Sequence, residues 1–148
     1  MTTIAYKDGK LAFDSKVTAG GTHTGFMTKG KKTSKFLIAG CGSCEDLQAF
    51  IDWMDAGGVV ADKKLFGLAD REVDMAALVV NKKNMVFHYE GRLYPYEVNS
   101  EYHAMGSGAD FALGAMASGS SAQQAVRIAS KLDTSTGGVV KELSWGKK

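Results

Sequence analysis

The stretch Ile4-Ala5-Tyr6-Lys7-Asp8-Gly9-Lys10-Leu11-Ala12-Phe13 constrains the fold more than any other part of the chain. Asp-Gly is strongly favoured in the type I′ turn, whose two central residues both take positive φ, and strand-like runs flank it here on both sides. The pattern predicts a hairpin of Ile4–Lys7 and Leu11–Val17. A chain that opens on an antiparallel hairpin is a poor match to folds that alternate strand and helix from the start.

The remaining elements follow from periodicity and caps. Phe36-Leu37-Ile38-Ala39 is a short, continuously apolar strand running into Gly40-Cys41-Gly42-Ser43, where the glycines permit a tight change of direction. Ser43 then reads as an N-cap with Asp46 three residues on, and Leu47, Phe50, Ile51 and Met54 recur at i, i+3, i+4 and i+7 along one core-facing stripe. Asp55-Ala56-Gly57-Gly58 is the stop signal. Between Val59 and Asp74 there is space for at most a brief helix, around Leu65–Val73. Strands over Ala76–Val80, Met85–Tyr89 and Arg92–Val98 predict an antiparallel meander, the last member demoted toward an edge strand or bulge by Pro95. Helices follow at Ala109–Met116 and Ala122–Leu132, the second opened by Ser121 and Gln124 at capping-box spacing. Gly137-Gly138 turns into a final strand, Val139–Leu143. This order predicts an α+β chain with helices packed outside stacked antiparallel sheets.

At 148 residues the chain fits one domain, 1–148, long enough to bury a core without disulfides or metals. Its 45% hydrophobic and 23% charged residues are an ordinary globular mixture. A net charge of +2 is too small to argue for nucleic acid. Lys29, Lys31, Lys32 and Lys35 do cluster, but only Phe36 adjoins them as a stacking surface, so the cluster reads as solvated. No apolar run approaches the roughly 20 residues that span a bilayer, so no membrane partner is expected. Met1-Thr2-Thr3-Ile4 lacks the charged and apolar regions of a secretory signal, and the two cysteines fit a reducing, cytoplasmic setting.

Three local patterns carry chemistry. Cys41-Gly42-Ser43-Cys44 lies where a strand passes into a helix, as a dithiol redox pair would, but the opening hairpin argues against a thioredoxin-like frame. With His23, His88 and His103 the cysteines show no ligand spacing beyond that pair, so no metal is expected. Met105-Gly106-Ser107-Gly108-Ala109-Asp110 precedes a helix and could receive an anion, yet without a phosphate-binding lysine motif it reads as a structural turn. The third pattern is Thr2. A threonine hydroxyl is a poor nucleophile until a base takes its proton, and a free α-amine on the same residue is such a base. An α-amine with a pKa near 8 is roughly one-tenth neutral at pH 7. Removal of Met1 would create it. On threonine alone no catalytic conclusion follows.

Read together, Thr2-Thr3-Ile4, Asp14-Ser15-Lys16-Val17-Thr18, Ala39-Gly40-Cys41-Gly42-Ser43-Cys44-Glu45-Asp46, Gly106-Ser107-Gly108 and Asp133-Thr134-Ser135-Thr136-Gly137-Gly138 resemble the proteasome β-subunit family in order and approximate spacing. The resemblance is strongest to its short bacterial and phage-type members akin to the HslV peptidase, and it covers nearly the whole chain. It implies the N-terminal-nucleophile hydrolase fold, an αββα four-layer sandwich, and a threonine peptidase needing no cofactor. By the same resemblance Thr2 is the nucleophile, Asp14 orients a lysine, and that lysine is Lys29, with Lys31 the alternative. Gly42 supplies the oxyanion N–H, Ser107 bonds the terminal amine, and Asp133 with Thr136 supports it, threonine standing where the family has serine. Val17, Gly40 and Cys44 line the specificity pocket.

The implied partners are a peptide or unfolded-protein substrate, further copies of the chain in a ring or ring-like homo-oligomer, and an AAA+ unfoldase. The implied setting is a bacterial or phage-infected cytosol. The chain departs from the family at Val59–Asp74, too short for the usual second long helix, which puts the stacked double ring in question. Retention of Met1 would lock the Thr2 amine in a peptide bond and favour a non-catalytic role in assembly or partner binding.

Overall fold

Asp8 and Gly9 take φ of 53° and 77°, as a type I′ turn demands. The strands they join, β1 (Ile4–Lys7) and β2 (Lys10–Phe13), pair antiparallel with Ile4 opposite Phe13. The computed structural model describes residues 2–146.

The second hairpin strand ends at Phe13 and does not continue to Val17. Asp14 turns its side chain inward, and the backbone leaves the ladder to pair elsewhere: the N–H groups of Ser15 and Lys16 both donate to Gly137 O at 3.1 Å. Extended structure resumes as β3 (Lys16–Ala19), which pairs with β4 (Thr22–Phe26) across a bulge between Val17 and Thr18.

A five-stranded antiparallel sheet follows, ordered β5 (Gly30–Lys32), β6 (Phe36–Gly42), β7 (Met75–Asn81), β8 (Val86–Glu90), β9 (Tyr96–Val98). The third predicted meander strand shrinks to Tyr96–Val98, because Leu93 sits at φ 57° and Pro95 has no N–H to give a ladder. A second sheet runs β10 (Tyr102–Met105), β1, β2, β11 (Lys141–Ser144). Helix α1 (Cys44–Asp55) begins with Ser43 Oγ accepting from Asp46 N at 3.4 Å. Helices α2 (Ala109–Ala117) and α3 (Ala122–Leu132) follow β10, and α3 carries the complete Ser121–Gln124 capping box. The expected short helix at Leu65–Val73 is instead a 3-10 helix at Val60–Phe66, stopped by Gly67 in the left-handed conformation at φ 71°.

Strand alternation sorts the residues into three apolar layers. Ile4, Leu11, Phe13, Leu37, Ala39 and Leu78 pack between the two sheets. Ile38, Ala77 and Val79, one residue out of phase, face Leu47, Phe50, Trp53 and Met54 of α1. On the far side the small residues Ala5, Ala12 and Ala104 let Ala112, Met116, Ala125 and Val126 of α2 and α3 approach closely. Each fully buried large side chain contributes roughly 1.5–3 kcal/mol. Lys7 Nζ ties the helical layer to β1 by donating to Met116 O and Ser120 O, at 3.1 and 3.0 Å, at the carbonyl end of α2. The architecture is an α+β, αββα sandwich.

Among the described residues, no helix is long and apolar enough to cross a membrane. Nor, among them, could any group of three or more His, Cys, Asp or Glu hold a metal ion.

Candidate active site

Thr2 lies two residues before β1 and is buried. Hairpin geometry brings Asp14, the residue after β2, opposite Thr3 and within reach of Thr2. Asp14 is fully buried, and its Oδ1 accepts from Thr2 Oγ1 and Thr3 N at 3.1 Å each and from Lys29 Nζ at 3.0 Å. Its Oδ2 accepts from Gly137 N at 2.9 Å. A buried carboxylate is tolerable only when so satisfied.

Lys29 immediately precedes β5, with its carbonyl accepting from Gly40 N at 2.9 Å. Gly30 beside it admits no side chain: a Cβ there would lie 2.5 Å from Ile38 O and 2.7 Å from the Phe13 ring. This close approach seats Lys29 inside the sandwich, where its ammonium donates to Thr2 Oγ1 and pairs with Asp14. Burial pushes the Lys29 pKa below the usual lysine range, and the Asp14 charge and hydrogen bond partly oppose that shift. Lys31 points elsewhere, pairing with Asp55 at 2.6 Å on the exposed surface.

On the other side of Thr2, its backbone N donates to Ser107 Oγ at 3.2 Å. Ser107 Oγ and Thr136 Oγ1 each donate to Asp133 Oδ2 at 2.6 Å. Because Thr136 gives its only hydroxyl proton to Asp133, the 2.8 Å contact between Thr136 and Thr3 has Thr3 Oγ1 as donor. Partial burial pulls the Asp133 carboxyl pKa up, but the hydrogen bonds from Ser107, Thr136 and the Ser135 backbone outweigh it and hold the group below the usual carboxylate range.

Thr2, Lys29, Gly42, Val17 and Cys44 line one cavity of about 440 Å³. Gly42 has φ 113°, and a Cβ on it would meet Asp74 O at 2.6 Å and Met75 Cα at 2.7 Å, so only glycine fits the turn from β6 into α1.

The structure thus brings Thr2, Asp14, Lys29, Ser107, Asp133 and Thr136 into one connected set, with Gly42, Val17 and Cys44 around the adjoining cavity. Gly40 is not brought there. The side of β6 on which it lies faces α1, a Cβ on it would meet Leu47 Cδ1 at 2.5 Å and Ala76 O at 2.8 Å, and Leu47 occupies the cavity wall instead. The expectation that Gly40 lines the pocket is corrected on that ground. Met1 lies outside the described residues. Two contributors were not singled out from sequence: Thr3, through its N–H to Asp14 and its hydroxyl to Thr136, and Gly137, through its N–H to Asp14. Backbone donors leave no compositional mark, and a second threonine beside Thr2 carries no periodic signal.

No protein-family model matches the sequence, and no curated protein matches it. Solved structures do match. Thiobacillus denitrificans BPH in complex with epoxomicin superposes with a TM-score of 0.70 at 20% identity, over 96% of each chain. A second structure of Thiobacillus denitrificans BPH gives 0.65 at 21% identity, over 96% of this chain and 95% of that one. Eukaryotic HslV from Trypanosoma brucei gives 0.71 at 18% identity, over 97% and 98%. At these identities the correspondence is one of fold, and the chain has the αββα fold of the HslV-like N-terminal-nucleophile hydrolases.

Proposed function

We propose that the chain, acting as one unit over 1–148, is a threonine-type N-terminal-nucleophile peptidase of the proteasome and HslV kind, active once Met1 is removed. One observation carries the reading: the Thr2 hydroxyl lies between a buried carboxylate and a buried ammonium while the nitrogen of the same residue is held on Ser107. Freed of Met1, that nitrogen is the base. It takes the Oγ1 proton, and the Lys29 charge favours both its neutral form and the developing alkoxide. Oγ1 then attacks a peptide carbonyl. The tetrahedral oxyanion falls to the Gly42 N–H, a kind of contact worth several kcal/mol. Collapse passes the proton to the departing amine and leaves an ester on Thr2. Water, deprotonated by the Thr2 α-amine, cleaves that ester, and the proton returns to the Thr2 oxygen to restore the hydroxyl. No cofactor takes part.

The binding of epoxomicin by the Thiobacillus BPH of the same fold supports an electrophile test. Mature protein should have lost one methionine by intact mass, and an epoxyketone should form an adduct mapping to Thr2. Thr2→Ala should abolish both adduct and peptide hydrolysis while the protein stays folded. A retained Met1 with no adduct would overturn the hydrolase reading in favour of an assembly or partner-binding role. Peptides or unfolded protein are the substrates of this reading, with further copies of the chain in a ring-like assembly and an AAA+ unfoldase as partners.

A further inference from the structure

Thr3 is fully buried and is not among the residues lining the cavity at Thr2. Its backbone is tied to one carboxylate: Thr3 N donates to Asp14 Oδ1 at 3.1 Å, and Thr3 O accepts from Asp14 N at 3.4 Å. Its side chain is tied to the other. Thr3 Oγ1 donates to Thr136 Oγ1 at 2.8 Å, and Thr136 donates on to Asp133 Oδ2 at 2.6 Å. Thr3 therefore joins the two carboxylate networks that flank Thr2.

The fold leaves room for this hydroxyl. Gly108, the N-cap of α2, has φ −93°, outside the left-handed region that favours glycine. Space demands the glycine instead: a Cβ on it would overlap Thr3 Oγ1 and lie 3.1 Å from both Thr136 Oγ1 and Ala129 Cβ. Gly108 of α2 and Ala129 of α3 thus close over the bond between Thr3 and Thr136, both of which are buried.

Proton directions give the bond its consequence. Asp133, held as an anion, takes the hydroxyl protons of Ser107 and Thr136. Ser107 Oγ then has only lone pairs to offer the Thr2 nitrogen, so a freed amine donates to Ser107 and keeps its own lone pair for the Oγ1 proton. A Ser107 turned to donate would occupy that lone pair and block the base. The Thr3 hydroxyl fills the acceptor side of Thr136, leaves Thr136 its proton for Asp133, and strengthens that bond in series.

We propose that Thr3 is a positioning residue for the base: through Thr136 and Asp133, its hydroxyl fixes Ser107 as an acceptor from the Thr2 amine. The proposal rests on the reading of Thr2 as nucleophile.

Mature protein carrying Thr3→Val, Thr3→Ser, Thr136→Val or both valine substitutions is assayed for peptide hydrolysis, with the folded fraction taken from urea denaturation. Thr3→Val keeps the volume and loses the hydroxyl, so kcat should fall roughly tenfold with KM within about twofold. Thr3→Ser should restore kcat to within about threefold of the parent. Because the two hydroxyls act in series, the double variant should lose no more than Thr136→Val alone. An unchanged kcat in Thr3→Val, a loss carried by KM, a Thr3→Ser as slow as Thr3→Val, or losses that multiply in the double variant overturns the assignment. Thr3→Ala replaces Thr3→Val in each comparison if the valine protein does not fold. Unsubstituted mature protein that neither hydrolyses peptides nor forms the epoxyketone adduct overturns the nucleophile reading and the role of Thr3 with it. Hydrolysis that Thr3→Val leaves intact overturns the Thr3 assignment alone.

Discussion

Asp14 holds four partners at one buried carboxylate, so the substitutions around it separate chemistry from stability. Lys29→Ala removes the cation paired with it at 3.0 Å. Loss of one member of a buried ion pair costs about 3 kcal/mol, moderated here by the donors Thr2, Thr3 and Gly137 that remain. Hydrolysis should fall roughly 100-fold or more, whereas Lys31→Ala, which breaks only a surface pair with Asp55, should keep activity within about twofold. Peptidase assays beside urea denaturation check both. The sequence left these two lysines as alternatives because the loop before Phe36 offers basic residues at alternate positions. Only the burial of one and the exposure of the other separates them.

Asp133 gives a pH prediction. Its folded-state pKa lies below the ordinary carboxylate value, so its hydrogen bonds from Ser107 and Thr136 stabilise the fold above about pH 4 and are lost as pH falls through the lower folded value. Asp133→Asn should therefore be less stable than the parent at neutral pH, the gap closing below about pH 4. Thermal melts across pH 2.5–7 should show it; a gap constant with pH would mean Asp133 is not held as an anion.

At the scale of elements, positioning falls to close backbone approaches. Gly30→Ala forces a methyl against Ile38 O and the Phe13 ring, an overpacking that costs typically 1–3 kcal/mol. The expected result is a protein that still folds but loses activity disproportionately, since β5 carries Lys29 with it. Activity falling only in step with the folded fraction would contradict this. The opening turn, α1 with its Ser43 cap and α3 with its capping box were all legible, because local patterns and tertiary burial agree there. β4, β5 and β10 were not. Thr22–Phe26 is largely exposed and lacks an alternating stripe, Gly30–Lys32 is three residues with two lysines, and Tyr102–Met105 lies in a segment without strong strand signals. The break at Asp14 was also hidden. A strand interrupted so that one side chain can serve a distant group leaves no periodic trace.

At the scale of the molecule, the sandwich forms its site from segments far apart in sequence, so the motifs became meaningful only as an ordered set. On the proposed reading the chain works in an assembly, and native mass spectrometry should find a multiple of the 15.8 kDa subunit. A monomer across the micromolar range would count against that part of the proposal. The bond from Gly137 N to Asp14 Oδ2 links positions 123 residues apart. β11, just beyond it, closes the same sheet on β2. The segment around Asp14 is therefore completed by one lying more than a hundred positions further along the chain. A chain halted after α3 would hold Thr2 and Lys29 yet lack the clasp that fixes the carboxylate between them, so that the set is completed only when residue 137 is in place.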